Sequence, residues 1–391
     1  MKIIHQLIFR PGSWNLAVCR TWKLVVEPYS RCAIMNLTMN IEPVANLLDR
    51  MTAPGELYAS LEGGVVQCHA CAHRCLIKPG GRGICQVRSN RDGELRVPWG
   101  YVSGLYPDPV EKKPFNHLLP GSLAFTFGML GCNFHCDFCQ NWVTSQTLRD
   151  PAANFGAEYI RRISPQQVVD AALRSGCALV VSSYNEPLIT SEWAVSIFKL
   201  AKEAGLRCAY VSNGYATPEV LAYLHPYLTA YKVDLKTMQE SQYRQCGGKL
   251  QHVLESIQQA YAAGLWVEVV TLVIPGFNDS TQELWDASRL ITSVSSDIPW
   301  HVTAYHPDYK REAPPTSAKK LQEAAEIGQE AGLKYVYAGN LPGRVGSLED
   351  THCPHCQEVL VKRRGYIVVE NHLQASNHCP SCGTQIAGVW S

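Results

Sequence analysis

Eleven of the sixteen cysteines fall into three tight groups, Cys68 to Cys85, Cys132 to Cys139 and Cys353 to Cys382. The other five (Cys19, Cys32, Cys177, Cys208 and Cys246) are scattered. A secreted disulfide scaffold is short and spreads its cysteines evenly, whereas clusters at metal-ligand spacing in a long chain indicate a reducing, cytoplasmic setting with bound metals. In the last group, Cys353-Pro-His-Cys356 and Cys379-Pro-Ser-Cys382 are separated by 22 residues, close to the spacing of a zinc ribbon whose four thiolates close one tetrahedron. Zinc is the expected ion, with rubredoxin-like iron or free thiols as alternatives.

Cys132-Asn-Phe-His-Cys136-Asp-Phe-Cys139 offers three ligands, where electron-transfer clusters take four. Three thiolates hold a [4Fe–4S] cluster by three corners and leave one iron open. That iron can be chelated by the amino and carboxylate groups of S-adenosylmethionine (SAM), and one electron then releases a 5′-deoxyadenosyl radical. The plainer alternative is three buried thiols in a glycine-rich loop. Cys68, Cys71, Cys75 and Cys85 are the ambiguous set: zinc, a second iron–sulfur cluster, or a reduced packed module, with His69 and His73 as competing ligands.

Several elements must position these groups. Apolar, β-branched runs at 123–127, 178–182, 208–212, 230–235, 266–274, 301–305 and 334–338 alternate with helical patterns at 165–174, 192–204, 218–224, 253–263, 281–291 and 318–331. Ser164, Thr217 and Ser280 supply N-caps, and Gly176, Gly205, Gly264 and Gly332 close helices. Strand and helix repeating at this spacing predict an α/β parallel fold, whose chemistry collects at the C-terminal strand ends. The candidates there are Asn185-Glu186, Asn213-Gly214, Asp234 and Lys236, Pro275-Gly276, His306 and Asn340. Four zones follow: a tail over 1–39, disordered or an over-extended start, since Met35 and Met39 can each begin the chain; a Cys-rich module over 40–120; the βα region over 121–345; and a ribbon-like unit over 346–391, with Gly365 in a hairpin.

The net charge of +1 and the single basic cluster Lys362-Arg-Arg364 give no strong nucleic-acid signal. No segment reads as transmembrane, and the first 35 residues lack the apolar run of a secretory signal.

The C-x3-C-x2-C motif resembles that of the radical SAM superfamily. Asp108-Pro-Val-Glu-Lys-Lys-Pro114, Gly131–Trp142, Trp300–Asp308 and Tyr335–Gly343 further resemble the AmmeMemoRadiSam system radical SAM enzyme, over about residues 66–390. The resemblance implies a partial (β/α)6-type TIM-like barrel, a [4Fe–4S] cluster, SAM and an external electron donor of the flavodoxin or ferredoxin type, with Memo-like and AMME-region proteins as partners. It implies that Glu186 accepts from the SAM amino group, in preference to capping the following helix, and that Lys236 pairs with the SAM carboxylate. Asn213 and Asp234 resemble residues of glycyl-radical activating enzymes that meet the ribose and methionine, and Val273-Ile-Pro-Gly276 the strand edge behind adenine. Val211 stands where those enzymes carry an acid, so the resemblance does not extend to a monovalent cation site. The expected function is hydrogen abstraction from an unidentified substrate. The alternatives are a glycyl-radical activase like the pyruvate formate-lyase activating enzyme, and a non-catalytic metal-scaffolded binding module.

Overall fold

The computed structural model describes residues 44–373 and 376–391. The expected tail over 1–39 lies outside the described residues. The centre of the fold is an eight-stranded sheet: β1 (Gly104–Pro109), β2 (Leu123–Gly128), β3 (Leu179–Ser182), β4 (Arg207–Ser212), β5 (Ala230–Asp234), β6 (Trp266–Val273), β7 (Trp300–Ala304) and β8 (Val336–Gly339). The strands lie in sequence order, β2 to β8 all parallel, with β1 antiparallel on the edge beside β2. Six strand–helix units thus run from β2 to β7, and β8 completes the partial barrel. The 40–120 segment that reads as a Cys-rich module contributes β1.

The helices begin where the sequence provides caps. In α1 (Pro165–Arg174) Ser164 and Gln167 form a reciprocal capping box; in α3 (Pro218–Leu224) Thr217 accepts from the Val220 amide; in α6 (Thr281–Val294) Ser280 accepts from the Glu283 amide. Gly176, Gly205, Gly264 and Gly332 follow α1, α2 (Ser191–Glu203), α5 (Leu250–Ala262) and α7 (Ala318–Glu330), all at positive φ. Among the described residues, three short α-helices have no counterpart in the sequence reading: Val44–Asp49, Trp142–Ser145 and α4 (Glu240–Cys246).

At the N-terminal strand ends, Ala124, Ala209 and Ala230 leave room for Phe115 and Leu118, which plug the barrel together with Leu179 and Val181. Glu268 in β6 holds that plug in place. Its carboxylate accepts from the amides of Asn116 (3.0 Å) and His117 (2.9 Å), from Trp266 Nε1 (2.9 Å), and pairs with His301 Nε2 at 2.6 Å.

The C-terminal unit spans the gap between the two edge strands. Its strands β9 (Thr351–His352), β10 (Val359–Arg364) and β11 (Ile367–Asn371) form a small antiparallel sheet. Thr351 Oγ1 and the Tyr337 hydroxyl of β8 are 2.8 Å apart, while Arg363 donates to the Asn116 carbonyl beyond β1 (2.8 Å). Val389 bridges to Leu118.

Candidate active site

The cysteine triad occupies the loop that follows β2. Two glycines shape its approach: a Cβ on Gly128 would lie 2.6 Å from the Ser183 carbonyl, and a Cβ on Gly131, whose φ is 95°, would lie 2.8 Å from the Val87 side chain. Long-range contacts then fix the loop. Asn213 Nδ2 donates to Asn133 Oδ1 (2.7 Å), the His135 amide to the Cys246 carbonyl (2.9 Å), and Gln146 Nε2 to the Phe134 carbonyl (3.1 Å). From beyond β7, the Lys310 and Arg311 amides both donate to the Asp137 carbonyl, and Arg311 Nε donates to its carboxylate. His306 lies on the outer side of this clamp, with Nδ1 3.4 Å from Gln140 Nε2.

The triad opens onto a cavity of about 410 Å³ at the C-terminal strand ends. Cys132, Cys136 and Cys139 line it together with Glu186, Asn213, Asp234 and Lys236, four residues drawn from the ends of β3, β4 and β5. Burial, and next the Glu186 carboxylate, push the Cys132 thiol well above its ordinary pKa. Burial raises Cys139 to about 11, while Lys236 pulls in the opposite direction. The Cys136 thiol is raised first by its hydrogen bond with Cys246 and again opposed by Lys236. The Glu186 and Lys236 charges are thus both felt at the thiols with which they share the cavity.

Both charged residues are already engaged. Glu186 Oε1 accepts from the Leu188 amide (3.0 Å) and Ser212 Oγ (2.7 Å), and Oε2 from the Asn213 amide (2.8 Å). The bond to Leu188 caps the helical turn Pro187–Thr190. The capping role, which the sequence reading ranks second, is therefore present, because Glu186 directly precedes that turn; one lone pair of Oε2 stays available. Burial raises the Glu186 carboxyl to about 7. Asp234 bridges Lys232 and Lys236. Burial opposes its ionisation, but the two lysines outweigh that and hold it below the usual carboxylate range.

Several cavity residues are absent from the sequence reading. Lys232 is one: at i, with the expected Asp234 and Lys236 at i+2 and i+4, it shares the inner face of one strand run, a period-2 signal available in the sequence. Lys113 donates to Asp108 (2.6 Å) and lies 4.6 Å over the Tyr184 ring, and the Tyr184 hydroxyl donates to the same carboxylate (2.8 Å). The Asp108–Pro114 string thereby positions the residue two before Glu186. Burial lowers Lys113 to about 8. Tyr337, Arg363 and Tyr366 supply the far wall. Val273–Gly276 is not among the lining residues, where β6 instead presents Val270 and Leu272.

In the tail, the sulfurs of Cys353, Cys356, Cys379 and Cys382 all lie within 4.8 Å of one another, a spread suited to one shared ion. Cys68, Cys71, Cys75 and Cys85 sit in small hairpins packed on the barrel. His73 Nε2 is spent on the Asn133 carbonyl (3.1 Å).

Residues 127–290, which carry the triad and its partners on β3 to β6, match the family model of the Radical SAM superfamily. An uncharacterized protein of Methanocaldococcus jannaschii, MJ0808, is 34% identical over 333 residues, covering 84% of this chain and 97% of that protein. The chain belongs to the radical SAM superfamily. The isethionate sulfite-lyase activating enzyme of Nitratidesulfovibrio vulgaris is 24% identical over 179 residues, 44% of this chain and 57% of that enzyme. Among solved structures, a radical SAM methyltransferase from Sphaerobacter thermophilus is 14% identical with a TM-score of 0.45, covering 81% of this chain and 87% of that one. As a radical SAM protein the chain is an enzyme, and the family implies SAM and a [4Fe–4S] cluster. The radical SAM triad fits such a cluster: one buried and two half-buried thiols on one loop, facing a cavity that holds both a carboxylate and an ammonium. Among the described residues of this radical SAM chain, no helix is long and apolar enough to cross a membrane.

Proposed function

We propose that this enzyme holds a [4Fe–4S] cluster on Cys132, Cys136 and Cys139, reductively cleaves SAM there, and abstracts hydrogen from a small molecule in the cavity. The convergence of Cys132, Cys136 and Cys139 with Glu186 and Lys236 on one cavity carries this reading. When bound, the cluster and SAM supply the 5′-deoxyadenosyl radical. The chain's own residues bind and orient. Glu186 Oε2 accepts from the SAM amino group, Lys236 faces its carboxylate, and Asn213 and Asp234 keep the intervening polar contacts in place. The plug of Phe115 and Leu118 closes the barrel from below, so the reacting groups are shielded from water on that side.

A one-electron donor of the flavodoxin or ferredoxin type completes the reaction. The strings from Asp108–Pro114 to Tyr335–Gly343 support assignment to the AmmeMemoRadiSam system, with Memo-like and AMME-region proteins as partners. Zinc in the ribbon is part of the same proposal.

A glycyl-radical activase is the second reading, favoured by the match to the isethionate sulfite-lyase activating enzyme. A small substrate is preferred because Arg363 and Tyr366 wall the side on which a partial barrel would otherwise admit a protein loop. The test is anaerobic reconstitution with dithionite and SAM, followed by chromatography for 5′-deoxyadenosine. Product formation supports the proposal; no product from protein with an intact cluster overturns it.

A further inference from the structure

The four N-terminal cysteines differ from the tail set in a way that bears on what they bind. A zinc ion draws four sulfurs to about 2.3 Å from one point, so they must crowd together. The tail sulfurs do so, with Cys353 and Cys382 3.5 Å apart and Cys356 and Cys379 3.6 Å apart. Among the described residues, Cys68, Cys71, Cys75 and Cys85 form no such crowded group, although three of the four are buried in one module. Four thiolates spread around a larger volume suit a cluster in which each holds a different iron.

A second observation points to inorganic sulfide. Arg88 and Tyr101 are almost wholly buried; among the described residues Arg88 Nε has no hydrogen-bond partner, and the Tyr101 hydroxyl, which accepts from the Leu130 amide, has no acceptor for its own proton. Both residues reach the cysteine module: the Arg88 carbonyl accepts from the Gly83 amide (2.9 Å), and Tyr101 meets the amide of Leu130, the neighbour of Gly131, where a Cβ would lie 3.2 Å from the Cys85 carbonyl oxygen. The rest of the Arg88 guanidinium is spent on Glu192 (2.6 and 2.7 Å) and the Ile189 carbonyl (3.1 Å), so its orientation is fixed. An unpaired buried donor is costly, and two of them at one site need an acceptor. Four thiolates around a single zinc offer only their own sulfurs, whereas a cluster adds bridging sulfides inside the module. Backbone amides reinforce the pattern: Ile84 donates to Cys75 Sγ at 3.5 Å, and the amides of His73, Val87 and Arg88 approach Cys71 and Cys85. Such donors are the usual surroundings of cluster sulfur.

We propose that Cys68, Cys71, Cys75 and Cys85 hold a second iron–sulfur cluster, with Arg88 Nε and the Tyr101 hydroxyl donating to its sulfides. The site lies directly behind the first cluster's loop. A methyl group at Gly131 would sit 3.2 Å from the Cys85 carbonyl oxygen, and Arg149 donates to both the Ile84 and the Phe134 carbonyls.

The test uses the full chain with Cys132, Cys136 and Cys139 all changed to Ala, reconstituted anaerobically with iron and sulfide. About four irons and four sulfides per chain are expected to remain, and Cys71→Ser in that background is expected to remove them. Zinc in place of iron, or no metal beyond the tail ion, overturns the proposal. The wild-type chain provides a check that needs no substitution of a thiol: about eight irons per chain support the proposal and about four overturn it. Tyr101→Phe keeps every ligand. It is expected to shift one of two reduced-cluster electron paramagnetic resonance signals to a more negative potential, because a donor to cluster sulfur is lost. Identical potentials in wild type and Tyr101→Phe would remove Tyr101 from the assignment and return the orphaned donors to an unexplained state, against the proposal.

Discussion

The loop after β2 and the C-terminal ribbon use the same side chain to opposite ends. In the ribbon four sulfurs lie within 4.8 Å of one another, and Cys356 and Cys382 are open to solvent. Local hydrogen bonds with Thr384 lower the Cys382 thiol to about 5. Two knuckles and a hairpin suffice to build that site. In the loop Cys136 is buried, Cys132 and Cys139 are half-buried, all three thiols are raised, and they are held by residues from β4, α4 and the segment after β7. Local sequence can assemble an ion site, but a reactive site needs the whole barrel.

The largest expected effects separate the two regions outright. Cys136→Ala should abolish 5′-deoxyadenosine formation and the absorption near about 400 nm due to this cluster, while leaving zinc content unchanged. Cys382→Ser should do the reverse, losing zinc and exposing the hairpin to protease while iron stays bound. Loss of iron from Cys382→Ser, measured by metal analysis, would show that the regions are not independent.

Next in size is the buried pair Arg88–Glu192, which ties the N-terminal cysteines to α2 with both side chains 1% exposed. Glu192→Ala leaves an uncompensated buried charge and should cost about 3–5 kcal/mol in urea unfolding. A loss under about 1 kcal/mol would mean that the module is not anchored there.

Glu186→Gln and Lys236→Met should each weaken SAM binding by about 1.5–3 kcal/mol with the cluster spectrum intact, read by paramagnetic resonance titration. Unchanged affinity in both variants would displace SAM from this part of the cavity.

The smallest effect is a pH dependence. With its carboxyl raised to about 7 by burial, Glu186 is largely protonated below that pH and ionised above it. The acceptor for the SAM amino group is the ionised form, so affinity should rise with pH through about 7, by about tenfold between pH 6 and 8. Glu186→Gln should flatten that profile.

Much of this architecture is written locally. Ser164, Thr217 and Ser280 start helices, and Gly176, Gly205, Gly264 and Gly332 end them, because caps and positive φ depend on immediate neighbours. The strands of the parallel sheet read directly from their apolar runs, as do the residues at their ends. Strand β1 does not, since Pro107 and Pro109 disguise it; proline is tolerated there because β1 is an edge strand. Contacts between distant segments are equally hidden. Nothing in the sequence pairs Asp108 with Tyr184, places Cys246 against Cys136, or brings Arg363 to a cavity formed by β2 to β8.

Arg363 has one further consequence, which concerns time. The ribosome delivers the chain from its N-terminus, so the end of β8 at Gly339 emerges roughly 1 to 5 s before Arg363 at ~5–20 residues per second. During that interval β1 and β8 are two unpaired sheet edges facing a gap that, among the described residues, the ribbon fills. Chains that stall before the ribbon is made carry those edges exposed, the condition under which strands pair with the wrong molecule.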